Sequence, residues 1–166
     1  LNVSTTSPLR YPGGKFKTYK LVEHLIEINK CDSYAEPFAG GAGVAIKLLM
    51  ENKVKKVYLN DFDKGIYALW YSILYFTEEL IELIKKTEIT INEWNKQRII
   101  HNNKDNNSNL LEIGFSTLFL NRTNRSGIIK GGVIGGKKQL GEYKLDCRFN
   151  KETIIKRINI ISKFKN

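Results

Sequence analysis

The chain has 166 residues, 42% of them hydrophobic, which suits one ordinary domain, or one domain plus a small insert, with a real core. It carries 27 Lys and Arg against 17 Asp and Glu, a formal charge of +10, which favours a polyanionic partner, nucleic acid or an anionic membrane surface, and by itself separates neither. Cys31 and Cys147 lie far apart in no ligand-like spacing, His24 and His101 stand alone, and no apolar run reaches spanning length. A disulfide framework, a zinc site and a membrane span are therefore not expected, and a soluble cytoplasmic protein is.

After a polar start, LRYPGGKFK (residues 9–17) reads as a turn, because Pro12 fixes its own φ and Gly13 and Gly14 permit unusual ones. A helix follows in KTYKLVEHLIEI, where Leu21, Val22, Leu25, Ile26 and Ile28 recur at helical spacing and form one apolar face. SYAEPF reads as a short strand, GVAIKLLM behind the glycines as a helix, and KVYLNDFD (56–63) as a second strand ending in acids. KGIYALWYSILYF is apolar enough for a mostly buried helix, and TEELIELIKK starts another, with Thr77 as its cap ahead of two acids. Strand, glycine turn, helix, strand, acid is the first half of a doubly wound α/β sheet.

From about residue 88 the alternation stops. INEWNKQRIIHNNKDNNSN gives a polar helix and an asparagine-rich loop, and LLEIGFSTLFLNR a further helix, together an inserted helical subdomain. TNRSGIIKGGVIGGKKQLGEYKLDCRF, rich in glycine and β-branched residues, reads as a flexible loop or hairpin. NKETIIKRINIISKF is a helix capped by Asn150, with Ile154, Ile158 and Ile161 on one face.

The chemistry concentrates in EPFAGGAG (36–43). It lacks the Gly-Lys-Ser/Thr ending of a phosphate loop and the wider glycine spacing of a dinucleotide fingerprint. Gly40, Gly41 and Gly43 still permit a tight turn and close backbone approach at a strand-to-helix junction. Glu36 beside such a turn would repel a pyrophosphate and favour a ligand with positive charge, such as the sulfonium and amino groups of S-adenosylmethionine. Asp61 follows at the end of the second strand, where an acid can accept hydrogen bonds from ribose hydroxyls. On these residues alone a second reading stands: the glycines cap a strand and Asp61 caps the next helix. In RYPGGK, Tyr11 can stack on a base or cofactor face and Lys15 can pair with a carboxylate.

Between Glu112 and Glu142 there is no carboxylate, while Arg122, Arg125, Lys130, Lys137 and Lys138 supply five positive charges. That suits a phosphate backbone, with Asn121, Asn124 and Gln139 able to read base edges and Arg122 or Arg125 able to grip guanine. A solvated loop is the plainer alternative.

In this order, LRYPGGK, YAEPFAGGAGVAI, YLNDFD and FLNRTNRSG through GGVIGG to YKLDCRFNK resemble the Dam-type DNA adenine methyltransferases, from about residue 7 to the C-terminus. The resemblance implies an α/β fold, a partial Rossmann-like methyltransferase sheet with a helical DNA-recognition insert, and S-adenosylmethionine as methyl donor. It divides the chain into a cofactor-binding half (1–87), a recognition insert (88–150) and a helix returning to the first domain (151–166). It assigns Tyr11, Gly13, Gly14 and Lys15, the turn Glu36, Pro37, Phe38, Gly40, Gly41 and Gly43, and the ribose acid Asp61 to the cofactor. Arg10, Asn121, Arg122 and Arg125 fall near double-stranded DNA, and the acid-free segment adds Lys130 and Lys137.

The pattern departs from the family in two features. The catalytic signature, an Asp-Pro-Pro-Tyr strand end, has no counterpart, since Pro8, Pro12 and Pro37 are the only prolines and no two are adjacent. The acid that meets the cofactor adenine shortly before it is missing too, so no catalytic residue is assigned. The expectation is an N-terminal portion of such an enzyme, inactive alone. Three alternatives stay open: a non-catalytic DNA-binding or regulatory module, a subunit whose partner chain carries the missing strand and which therefore shows an exposed sheet edge, and another S-adenosylmethionine-dependent protein such as an RNA methyltransferase.

Overall fold

The computed structural model describes residues 7–10 and 15–165, so the expected turn at Pro12, Gly13 and Gly14 lies outside the described residues. A single 3-10 turn at Lys15–Thr18 leads into α1 (Tyr19–Ile28), β1 (Ser33–Glu36), α2 (Gly43–Met50), β2 (Lys56–Leu59), α3 (Lys64–Tyr75) and α4 (Thr77–Lys86). Then come α5 (Ile91–Asn102), α6 (Leu110–Thr123) and α7 (Lys151–Ile161). β1 and β2 pair in parallel with Glu36 opposite Leu59, joined by the α2 crossover. Strand side chains alternate faces: Tyr34, Glu36, Val57 and Leu59 are buried or half-buried, whereas Ser33, Ala35, Lys56 and Tyr58 are exposed. The described sheet thus has one covered face and, with two strands, a free edge on each.

The helical second half shares its core with the first. Leu69, Trp70 and Ile73 of α3 belong to one apolar cluster with Phe115, Leu118 and Phe119 of α6 and Ile154, Ile158 and Ile161 of α7. α6 is the centre of this packing. From Ile113 to Thr123 every residue of it is buried, so no simple amphipathic stripe marks it. α3 and α6 touch at two glycines: a Cβ on Gly114 would lie 2.7 Å from the Ala68 carbonyl oxygen, and one on Gly65 would lie 2.6 Å from Thr117 Oγ1. Helix starts are set by short polar side chains, Asp63 accepting from the Gly65 N–H, Thr90 from Glu93, Asn109 from Glu112 and Asn150 from Thr153.

Two expectations are corrected. Of the expected α1 face, Ile26 is buried and Val22 half-buried, but Leu21, Leu25 and Ile28 are 61%, 46% and 59% exposed, and Tyr19 and Glu23 turn inward beside Ile26. Ile26 and Val22 pack with Val44 and Leu48 of α2, while the rest of the contact is polar and lies at and just past the end of α2: the Tyr19 hydroxyl meets Glu51 and Glu23, Lys47 sits 4.0 Å over the Tyr19 ring, and Glu23 pairs with Lys53 at 3.0 Å. Thr77 does not cap α4. Only Phe76 separates α3 from α4, so the Thr77 hydroxyl donates to the Ile73 carbonyl of the preceding turn. The segment after α6 is mostly turns, pinned by an isolated antiparallel bridge between Asn124 and Val133.

Candidate functional site

The glycine turn sits where both strands end. The ladder continues past them, Asn60 N–H donating to the Glu36 carbonyl at 3.1 Å and Ala39 N–H to the Asn60 carbonyl at 2.9 Å. Gly40 then takes φ 47°, a left-handed conformation that glycine adopts without strain. Asp61 holds that bend: Oδ2 accepts from the Gly40 N–H at 2.8 Å while Oδ1 accepts from the Asp63 N–H at 2.9 Å. Trp70 Nε1 donates to the Gly40 carbonyl at 2.9 Å, fixing the turn to α3. The cap of α3 is Asp63, which leaves Asp61, half-exposed, with lone pairs beyond the two used by the backbone.

Glu36 is the unusual residue. It is 3% exposed, and its Oε1 accepts from Lys15 Nζ at 3.2 Å. Lys15 also donates to the Phe38 carbonyl, so one ammonium ties the first turn to the end of β1. Glu36 Oε2 is buried without a hydrogen-bond partner. Burial pushes the Glu36 carboxyl above the ordinary glutamate range, opposed by Lys15 and by the nearby Ala45 N–H, which favours the ionised form without a bond of normal geometry. α2 begins at Gly43 after Ala42 in the left-handed region, with no side-chain cap, so its first N–H groups also face this turn.

Around the turn, Pro37 is exposed, Gly40 is buried, and Gly41 and Gly43 are half-buried. Phe38 is 66% exposed and Phe62 92%. Phe62, an aromatic residue between two acids at a strand end, is not one of the expected cofactor residues, and it too stands exposed at the turn. Tyr11, Gly13 and Gly14 lie outside the described residues.

On the basic side, Arg125, Lys130 and Lys137 are exposed, as a phosphate-facing set requires. The asparagines and Gln139 are placed otherwise. Asn121 is fully buried; its Oδ1 accepts from the Arg10 N–H at 2.8 Å and its Nδ2 donates to the carbonyls of Arg10 and Gly127 at 2.9 and 2.8 Å. Asn124, equally buried, accepts from Trp94 Nε1 and donates to Ile128 and Ile129. Gln139 is spent on Ile134, Gly136 and Leu145. These amides hold loop backbone and present no free edge to a base. Arg122 is also buried, with Nε donating to the Pro8 carbonyl at 2.7 Å, whereas Arg10 is half-exposed. Asn121 thereby ties α6 and the basic segment to the residues that precede Lys15.

Parallel strands joined by a helix, with an acid-bearing glycine turn at their carboxyl ends, define a mixed α/β protein of methyltransferase-like build. A family model described as D12 class N6 adenine-specific DNA methyltransferase matches residues 11–165, and the chain belongs to that family. No curated protein matches the chain.

Proposed function

We propose that this chain supplies the S-adenosylmethionine-binding and DNA-contacting parts of an adenine N6 methyltransferase. One observation carries the reading: Glu36 Oε2, buried and bare beside an uncapped helix start, is an acceptor waiting for a cationic donor. Lys15 pairs only with Oε1; leaving the second buried oxygen without a donor is costly, and an amino group of the cofactor would satisfy it. Residues 1–87 hold the cofactor in this reading, with Glu36 and the 36–43 turn at its methionine end, Asp61 on the ribose, and Phe38 and Phe62 as apolar walls. The bound cofactor supplies an electrophilic methyl group.

Residues 88–150 face double-stranded DNA through Arg125, Lys130 and Lys137, and Asn121 positions Arg10 for the same partner. Residues 151–166 return α7 to the first core. The adenine amine is delocalised into its ring and attacks only when its protons are held by acceptors on a flipped-out base. The family's acceptor set begins with an Asp-Pro-Pro-Tyr sequence, which these 166 residues do not contain. Transfer therefore needs a carboxylate and carbonyl supplied from outside them.

Titration calorimetry tests the cofactor half directly. S-adenosylmethionine is expected to bind one site, and Glu36→Gln to weaken it by about 1.5–3 kcal/mol, the usual worth of a hydrogen bond to a charged group. Absence of binding to the unaltered chain, together with salt-dependent DNA binding, would leave a non-catalytic DNA-binding module. Methylated adenine produced by this polypeptide alone would refute the need for an outside acceptor.

A further inference from the structure

We propose that the half-exposed residues Arg10 and Arg157, backed by the buried Arg122, form a binding site for a phosphate group where α6 and α7 meet residues 7–10. Arg122 Nε donates to the Pro8 carbonyl at 2.7 Å and Arg157 Nη1 to the Ser7 carbonyl at 3.0 Å. Gripping adjacent carbonyls of one dipeptide brings the two guanidiniums side by side. Arg10 follows two residues later, its backbone held on both sides by the Asn121 amide, so its side chain springs from a fixed point.

Positive charge accumulates there without compensation. Among the described residues every ion pair is made by a lysine and none by an arginine. Arg122 is only 7% exposed, and its Nη2 is buried with no hydrogen-bond partner. Burial first, then Arg157 and Arg10, push Arg122 down to about 10. A buried cation among like charges needs an anion nearby.

The outer pair determines which anion. Arg10 lies on a loop and Arg157 on α7, and both are near enough to Arg122 to disfavour its charge, so an anion beside Arg122 meets cations carried by two different segments. A tetrahedral phosphate can offer separate oxygens to both, whereas a planar carboxylate is gripped edge-on by a single fork. Arg122, fixed by its bond to the Pro8 carbonyl, backs the pair as a buried charge.

Two measurements on the whole chain test the site and separate its sources. At equal ionic strength, inorganic phosphate is expected to raise the thermal unfolding midpoint above that in chloride, and Arg157→Gln and Arg10→Gln are each expected to remove most of that increment. No increment in the unaltered protein, or one equally large in both variants, overturns the site. Both substitutions act on half-exposed side chains, so the variants should remain folded for the comparison. The second measurement rests on the DNA partner proposed above. If the phosphate belongs to DNA, the slope of log affinity against log salt falls by about 1 in Arg157→Gln. An unchanged slope with the phosphate increment present assigns the site to free phosphate. Failure of the unaltered chain to bind duplex would count against the DNA reading alone, because the unfolding comparison uses no DNA.

Discussion

Glu36 couples the cofactor question to pH. Its folded pKa is raised by burial, so within the window between its unfolded and folded values the folded state holds more protons than the unfolded one. Stability is therefore lost as pH rises through that window and regained as pH falls. A cationic ligand has the opposite preference, since it needs the carboxylate ionised. S-adenosylmethionine affinity is thus expected to fall as pH drops through a midpoint above the ordinary glutamate range, and Glu36→Gln to flatten that dependence; calorimetric titration at a series of pH values reads both. Asn121 makes a different demand. Asn121→Ala leaves the Arg10 N–H and the carbonyls of Arg10 and Gly127 unpaired, each at about 1–3 kcal/mol when buried, and Asn121→Asp restores one of the three contacts. Both are expected to lower unfolding stability in denaturant titrations, the aspartate variant included. Residue types announced that Glu36 and Asp61 belong at the turn, because an acid at a strand end needs few other facts to be interpreted. They did not announce the role of Asn121, since an amide's role depends on which distant backbone it meets, here 111 residues away.

At the scale of elements, the contact between α3 and α6 is the most exacting. Gly114 faces the Ala68 carbonyl oxygen and Ser72 Oγ at 2.7 and 2.6 Å from where a Cβ would stand, distances no carbon can hold. Gly114→Ala gains about 0.8–1 kcal/mol of helix propensity and loses about 1–3 kcal/mol to overpacking. The contact involves backbone, which yields less readily than a side-chain tip, so the loss should win; a lowered unfolding midpoint with unchanged helical circular dichroism checks it. Most element types could be read from the sequence, and the Asn150 cap with the Ile154, Ile158 and Ile161 face was fully legible because it rests on local spacing. α1 was read only in part, for the complementary reason. Val22 and Ile26 do pack on Val44 and Leu48, but the rest of the interior goes to a tyrosine and glutamate network at Lys47 and Glu51, and Leu21, Leu25 and Ile28 are left outside. Periodicity tells which side chains share a face, and only the partner tells which face is inside.

For the molecule as a whole, two surface properties respond to salt with opposite sign. The charge of +10 repels like copies and attracts polyanions, and both effects fade as the Debye length contracts from about 30 Å at 0.01 M to about 8 Å at 0.15 M. The strand edges act differently. Among the described residues β2 has a free edge, and the groove beside it, about 450 Å³, is lined in part by Ile46, Leu49, Val57, Leu59, Trp70 and Ile161. Unpaired strand groups beside apolar surface favour pairing between chains, and screening removes the repulsion that opposes it. Association of the isolated chain is therefore expected to rise with salt while its DNA binding falls. Sedimentation velocity across a salt series reads the first, and Tyr58→Lys, on the exposed face of β2, is expected to suppress it by adding charge beside the edge. Association that weakened with salt would instead point to pairing between opposite charges, and the open edge would then have no part in it.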